Sequence, residues 1–197
     1  MKFTLEDIRN KLFSSKISSQ QILLSGIEIA GFIGSLSSFF FLLSDPGMKI
    51  QCIVDIACAV YLGIAFYLTN WRGMIKSMSI STISVVSLVI FPIMFFSGGG
   101  AASGMASWYT LGIVFTFLVL EGKTLFSILF LQILTIIVCY YIDYKFPESI
   151  IPISTSKGVT IDILNGIICS SLGIGAVNKF QTLINKRAFS EIQKANE

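Results

Sequence analysis

Histidine is absent from this chain. With it go the usual general base near neutral pH, the commonest metal ligand and any phospho-accepting imidazole. Charge is scarce as well. Only 13% of the 197 residues are Asp, Glu, Lys or Arg, against about 25% in an ordinary soluble domain. The basic residues are too few and too scattered for a nucleic-acid interface. The four cysteines, Cys52, Cys58, Cys139 and Cys169, all fall inside apolar runs and form no CxxC pair. They read as small buried hydrophobes rather than metal ligands or a disulfide frame. There is no P-loop pattern, no zinc-ligand spacing, no nucleophile–base pair and no pair of catalytic carboxylates. The residues therefore predict no catalytic site, no metal and no cofactor. A cleavable leader is missing too: Glu6 and Asp7 interrupt the N-terminal segment, and no small-residue cleavage site follows a short apolar core, so the N-terminus is expected to be retained.

What the chain does have is apolar length. Hydrophobic residues make up 54% of it and its mean hydropathy is +0.81, in a range where runs of about 20 residues cross a bilayer. The pattern predicts an all-α, polytopic membrane protein with six transmembrane helices at about 21–43, 49–69, 77–97, 102–120, 124–142 and 158–177. Residues 1–20 are expected to form a cytoplasmic segment, with Phe3, Ile8, Leu12 and Phe13 at roughly helical spacing on an interfacial helix. Residues 21–178 form the bundle. Asp45-Pro46-Gly47 closes the first span, and Trp71 with Arg72 anchors the end of the second. Pro92 is expected to kink the third. The turn Glu121-Gly122-Lys123 is so short that the fourth and fifth spans must be antiparallel neighbours. The segment 179–197, free of Pro and Gly, should continue the sixth span as a polar helical stalk.

Six spans place both termini on one side, and the basic residues choose the side. Lys2, Arg9, Lys11, Lys16, Arg72, Lys76, Lys123, Lys179, Lys186, Arg187 and Lys194 fall on the face of the termini, whereas Lys49, Lys145 and Lys157 fall on the other. That bias puts both termini in the cytoplasm.

The organising stretch is FPIMFFSGGGAASGMASWYTLGIVFTFLVLEGK, from Phe91 to Lys123. Gly98, Gly99 and Gly100, with Ser103 and Gly104, form a tight uncharged outer turn. Glycine there permits positive φ and close approach of two helix ends. It reads either as a plain turn or as one that also lines a site. Charges inside the spans are Glu28, Asp55 and Asp162. The last two share a depth in the outer third. Each either interacts with the dipole of its own helix start or stands at the mouth of an outward-open ligand pocket with Trp108, Tyr109, Tyr141, Asp143 and Tyr144. In the stalk, Phe180, Ile184, Ala188 and Ile192 recur at i+4. They form either the seam of a homodimer or one face of a solvated amphipathic tail.

The glycine triplet, Ser103-Gly104-Met105, Trp108, Glu121-Gly122-Lys123, Pro147 and Phe180-Gln181 arrive in order relative to the spans. In this the stretch 20–197 resembles a six-helix membrane input module of bacterial signalling enzymes such as sensor histidine kinases and diguanylate cyclases. The resemblance implies a bacterial cytoplasmic membrane and a bilayer-embedded bundle that senses a small or lipophilic stimulus. It also implies a homodimer through the last helix and a cytoplasmic output enzyme, most often a histidine kinase, which this stretch does not contain. It assigns no catalytic residue and no ligand. Two other readings stay open: a small-solute-binding membrane subunit of an uptake transporter, and a purely structural anchor.

Overall fold

The computed structural model describes residues 18–43, 48–153 and 155–196, and these are helical almost throughout, with no strand among them. The expected N-terminal interfacial helix at 1–20 falls largely outside the described residues. Helix α1 spans Ser19–Leu42, α2 Lys49–Trp71, α3 Ile75–Ser97, α4 Met105–Val119, α5 Gly122–Lys145 and α6 Ser156–Asn196. Five stretches are long and apolar enough to cross a membrane: Gln20–Leu42, Lys49–Trp71, Ile75–Ser97, Gly122–Lys145 and Ser156–Lys179. This is the make-up of a multi-pass membrane protein. Large apolar side chains such as Phe40, Ile53, Phe126, Phe130 and Leu172 stand exposed on the outside of the bundle, where lipid rather than water is the solvent that suits them.

The helix ends follow local chemistry. Ser18 starts α1, its hydroxyl accepting the Gln21 N–H at 3.2 Å, the usual way to satisfy a first-turn donor. Helix α2 ends where Gly73 takes φ +66° and Met74 N–H bonds back to the Leu68 carbonyl, which closes the carbonyls of the last turn. Thr155 accepts the Gly158 N–H at 2.9 Å at the start of α6.

Pro92, expected to kink the third span, sits just after a local widening of that helix. A proline inside a helix removes one hydrogen bond and clashes with the carbonyl four residues earlier. The chain absorbs this by widening into a π turn at Val86–Ile90, where the Phe91 N–H reaches the Val86 carbonyl, before α-helix resumes at Phe91–Ser97. Helix α4 also begins later than the sequence predicts, at Met105 rather than 102, because a 3-10 turn at Gly100–Ala102 and an extended Ser103 take up the intervening residues. Its 15 residues make it about 22 Å long at 1.5 Å per residue.

Helix α1 packs most extensively on α2 and then on α6; α4 also lies against α6. Toward one end, Leu24, Ile27, Ile83, Leu111, Phe115, Val119 and Val177 form a shared core. In the middle, Cys58, Leu62, Phe91, Met94, Phe95, Met105 and Tyr109 form a second. At the far end, Leu42, Met48, Cys52 and Ile153 close the bundle beneath the glycine turn. Helices α4 and α6 cross at very short range: a Cβ on Gly104 would stand 2.6 Å from the Asp162 carbonyl oxygen, and one on Gly166 would stand 2.8 Å from the Gly104 carbonyl oxygen.

Candidate functional site

The glycine turn is held by two carboxylates. Gly99 and Gly100 take φ +93° and +59°, which side-chain-bearing residues seldom adopt. The turn exposes N–H groups that the helices leave unpaired. Asp143, near the end of α5, accepts the Ala101 N–H through Oδ2 at 2.7 Å. Asp162, in α6, accepts the Gly104 N–H through Oδ2 at 2.7 Å. The loop after α5 adds two backbone bonds, Gly99 N–H to Ile151 carbonyl at 3.1 Å and Ile151 N–H to Phe96 carbonyl at 2.8 Å. Ser103 completes the turn, its hydroxyl donating to the Gly100 carbonyl at 2.6 Å. Gly98 sits directly against the side-chain oxygen of the buried Gln51. The turn is thus a joint of four segments: α2, the α3–α4 turn, α5 with its following loop, and α6.

Asp162 and Asp55 have different surroundings. Each lies beyond the first turn of its helix, since α2 starts at Lys49 and α6 at Ser156, so the helix dipole, which fades within one turn, does not account for them. Asp162 is accounted for by its bond to Gly104. Asp55 is fully buried, and neither of its carboxylate oxygens makes a well-formed hydrogen bond, although the Ser38 hydroxyl of α1 stands beside them. It lines a cavity of about 60 Å³ between α1, α2, α3 and α4. Gly31, Gly34, Ser35 and Ser38 of α1 form one wall, and Thr82, Ser87 and Phe91 of α3 another. Thr82 is 1% exposed, and its hydroxyl also lacks a partner. Trp108 of α4 closes the remaining side.

Behind Trp108 lies a larger groove of about 670 Å³ between α1, α4 and α6, lined by Ile33, Phe41, Ile161, Leu164, Ile168 and Leu172 among others. Gly31, Gly34, Trp108, Leu111 and Phe115 border both spaces. The lack of a side chain at Gly34 is what lets the Trp108 ring pack against α1 between them: a Cβ there would meet the ring at 3.2 Å.

Of the residues singled out by sequence, Asp55 and Trp108 line the same cavity. Tyr109 is buried beside it, edge-on to Phe91 at 5.7 Å, with its hydroxyl donating to Cys139 Sγ at 3.5 Å. Asp143 and Asp162 belong to the turn. Tyr141 and Tyr144 are 58% and 80% exposed and line neither the cavity nor the groove, Tyr144 lying beneath the Lys145 ammonium at 5.4 Å. The stalk backbone is helical through Asn196, while the side chains of Phe180, Ile184, Ala188 and Ile192 lie outside the described ones.

Sequence reasoning missed a second polar cluster at the opposite end of the bundle. Glu28 is fully buried and accepts the Thr69 hydroxyl at 2.8 Å, leaving its other oxygen without a partner. One turn away, Ser25 and Asn70 exchange hydrogen bonds at 3.1 and 2.9 Å, and Asn70 also donates to the Phe66 carbonyl. The only signal was Glu28 itself; its partners look like ordinary helix-end residues until α1 and α2 are packed. Among the described residues no cluster of His, Cys, Asp and Glu could hold a metal ion.

No family model matches the chain, and no curated protein or solved structure shows significant similarity to it. Fold and site together define a class: a multi-pass, all-helical membrane protein with a small apolar cavity that holds one buried acid, Asp55, beside an apolar groove.

Proposed function

We propose that this chain is a membrane signal-input and dimerisation module: six spans with both termini cytoplasmic, whose last helix carries a stimulus to a cytoplasmic output enzyme, most often a histidine kinase. The observation that carries the reading is α6. It runs for 41 residues without a break, about 61 Å at 1.5 Å per residue, while only Ser156–Lys179 is apolar enough to cross a membrane. Its remaining turns leave the apolar layer as a rigid continuation of a span that packs on α1 and α4. Such a helix transmits a shift or rotation, because packed helices move between discrete arrangements. Exposed Phe189, next to the i+4 stripe, adds apolar surface that a second copy would cover.

A short polar helix is marginal in water without a partner. Pairing of the stripe supplies one, each fully buried Ile or Phe contributing about 1.5–3 kcal/mol. Single cysteines from Phe180 to Ala195, in a cysteine-free background with mild oxidation in membranes, test the reading. Cross-linking is expected to peak every three to four residues, on the stripe. A flat profile would favour the alternative, a small-solute-binding membrane subunit of an uptake transporter, which has no use for a paired stalk.

A further inference from the structure

The small cavity that Trp108 closes is chemically odd for the middle of a bundle. Three oxygen atoms there, both of Asp55 and the hydroxyl of Thr82, are buried without a well-formed hydrogen bond. Buried polar atoms in folded proteins are nearly always paired, and a carboxylate among apolar helices most of all. No lysine or arginine lines this cavity or the groove beside it, so the protein supplies no counter-charge of its own. The groove is apolar, opens between α1 and α6 and is several times larger than the cavity, about 670 against 60 Å³. The two spaces share Gly31 and Gly34 of α1 as a border, and the Trp108 ring, packed against Gly34, stands between them.

We propose that the two adjoining spaces, opened to one another by displacement of the Trp108 ring, form a binding site for a primary amine with a single apolar tail, the tail lying in the groove between α1 and α6 and the ammonium entering the cavity to contact Asp55 and Thr82. The head group matches in number as well as in charge. A primary ammonium has three N–H donors, and three acceptors without a well-formed hydrogen bond lie just beneath the apolar lining of the cavity. A fatty alcohol satisfies the groove but leaves the carboxylate without a cation, and a fatty acid brings a second negative charge against it. Groove and cavity share Trp108, and α6 forms one groove wall. Occupancy therefore bears on the same helix that leads to the stalk. As an input signal the amine rests on the signalling reading above; as a binding site it does not.

The chain has two tryptophans, so Trp71→Phe leaves Trp108 as sole fluorescent reporter. The full chain with this substitution, in phosphatidylcholine nanodiscs, is titrated with n-decylamine and, separately, with n-decanol. Decylamine is expected to give a saturable change in Trp108 emission that Asp55→Asn weakens at least tenfold, while the decanol response stays the same in both proteins. Partitioning into lipid cancels between proteins for each compound, and the amine and alcohol are compared at equal lipid-phase concentration, measured in protein-free nanodiscs. Thr82→Val, which removes the hydroxyl and keeps the shape, is expected to weaken decylamine threefold or more, and stands in if Asp55→Asn does not fold. Equal decylamine affinity with and without the Asp55 carboxylate, or no preference for amine over alcohol, would overturn the proposal and leave Asp55 a neutral, protonated acid. A failed titration beside periodic stalk cross-linking removes the amine alone. Saturable binding beside a flat cross-linking profile removes the signalling reading alone.

Discussion

Replacing Gly104 by alanine places a methyl group 2.6 Å from the Asp162 carbonyl oxygen, well inside van der Waals contact. The backbone at Gly104 has φ −71°, which alanine adopts freely, so the cost is steric and not conformational. The obstacle is main chain of α6 and cannot rotate away. Overpacking of this kind costs about 1–3 kcal/mol. Moving the helices apart also stretches the bond from the Gly104 N–H to the Asp162 carboxylate, a charged hydrogen bond of about 1.5–3 kcal/mol. A loss of about 2–4 kcal/mol is expected. Gly166→Ala makes the sharper test, because the two effects oppose one another. In the middle of an exposed helix that change stabilises by about 1 kcal/mol; here its Cβ would stand 2.8 Å from the Gly104 carbonyl oxygen, and net destabilisation is expected. Once one methyl has opened the crossing, the second meets less resistance, so the double variant should lose about 1–2 kcal/mol less than the sum. Reversible unfolding in mixed micelles, followed by circular dichroism, measures all three. A neutral or stabilising Gly166→Ala, or strict additivity, would refute the close α4–α6 crossing.

Asp162→Ala is expected to cost about 1–3 kcal/mol by stranding the Gly104 N–H, whereas Asp162→Asn keeps an acceptor oxygen and should cost much less in the same unfolding assay. Thr116 and Gln132 pair within the bundle at 2.7 Å. Thr116→Val should therefore destabilise by about 1–3 kcal/mol, and Thr116→Val with Gln132→Leu should recover most of the loss. For topology, single cysteines at exposed Ser149 and at Ser190 in a cysteine-free background, probed on intact cells with an impermeant thiol reagent, are expected to label at Ser149 and stay protected at Ser190. The reverse pattern would invert the orientation.

Much of the architecture was legible because a bilayer imposes simple rules. Runs of apolar residues near 20 long, broken by Asn70-Trp71-Arg72, Gly98–Gly100 and Glu121-Gly122-Lys123, locate the helices to within a few residues. The glycine turn was legible for its backbone conformation, which Gly99 and Gly100 adopt. The roles of the acids were not. Asp55 and Asp162 look alike in sequence, each a few residues inside an apolar helix, yet Asp162 caps a turn from another helix and Asp55 makes no well-formed hydrogen bond. Nothing local distinguishes them, since the difference lies in which distant segment faces each side chain. Tyr141 and Tyr144 show the same limit: their depth was readable, but the face of α5 they occupy depends on how that helix is rotated against α3 and α4. The groove between α1 and α6 joins segments more than a hundred residues apart, and no pattern within either one announces it.

The central claim, that α6 conveys the state of the bundle, is tested most directly by fusing the chain to a reporter histidine-kinase catalytic region. Zero to seven residues are inserted, one at a time, between Glu197 and the reporter, as helix-compatible alanines. Each insertion rotates the output by about 100° on a 3.6-residue helix. Kinase activity in membranes should rise and fall with that rotation and return near its starting value at seven residues. Activity that is unchanged across the series, or that falls steadily with linker length, would contradict a rigid, rotation-sensitive helix and with it the signal-input reading.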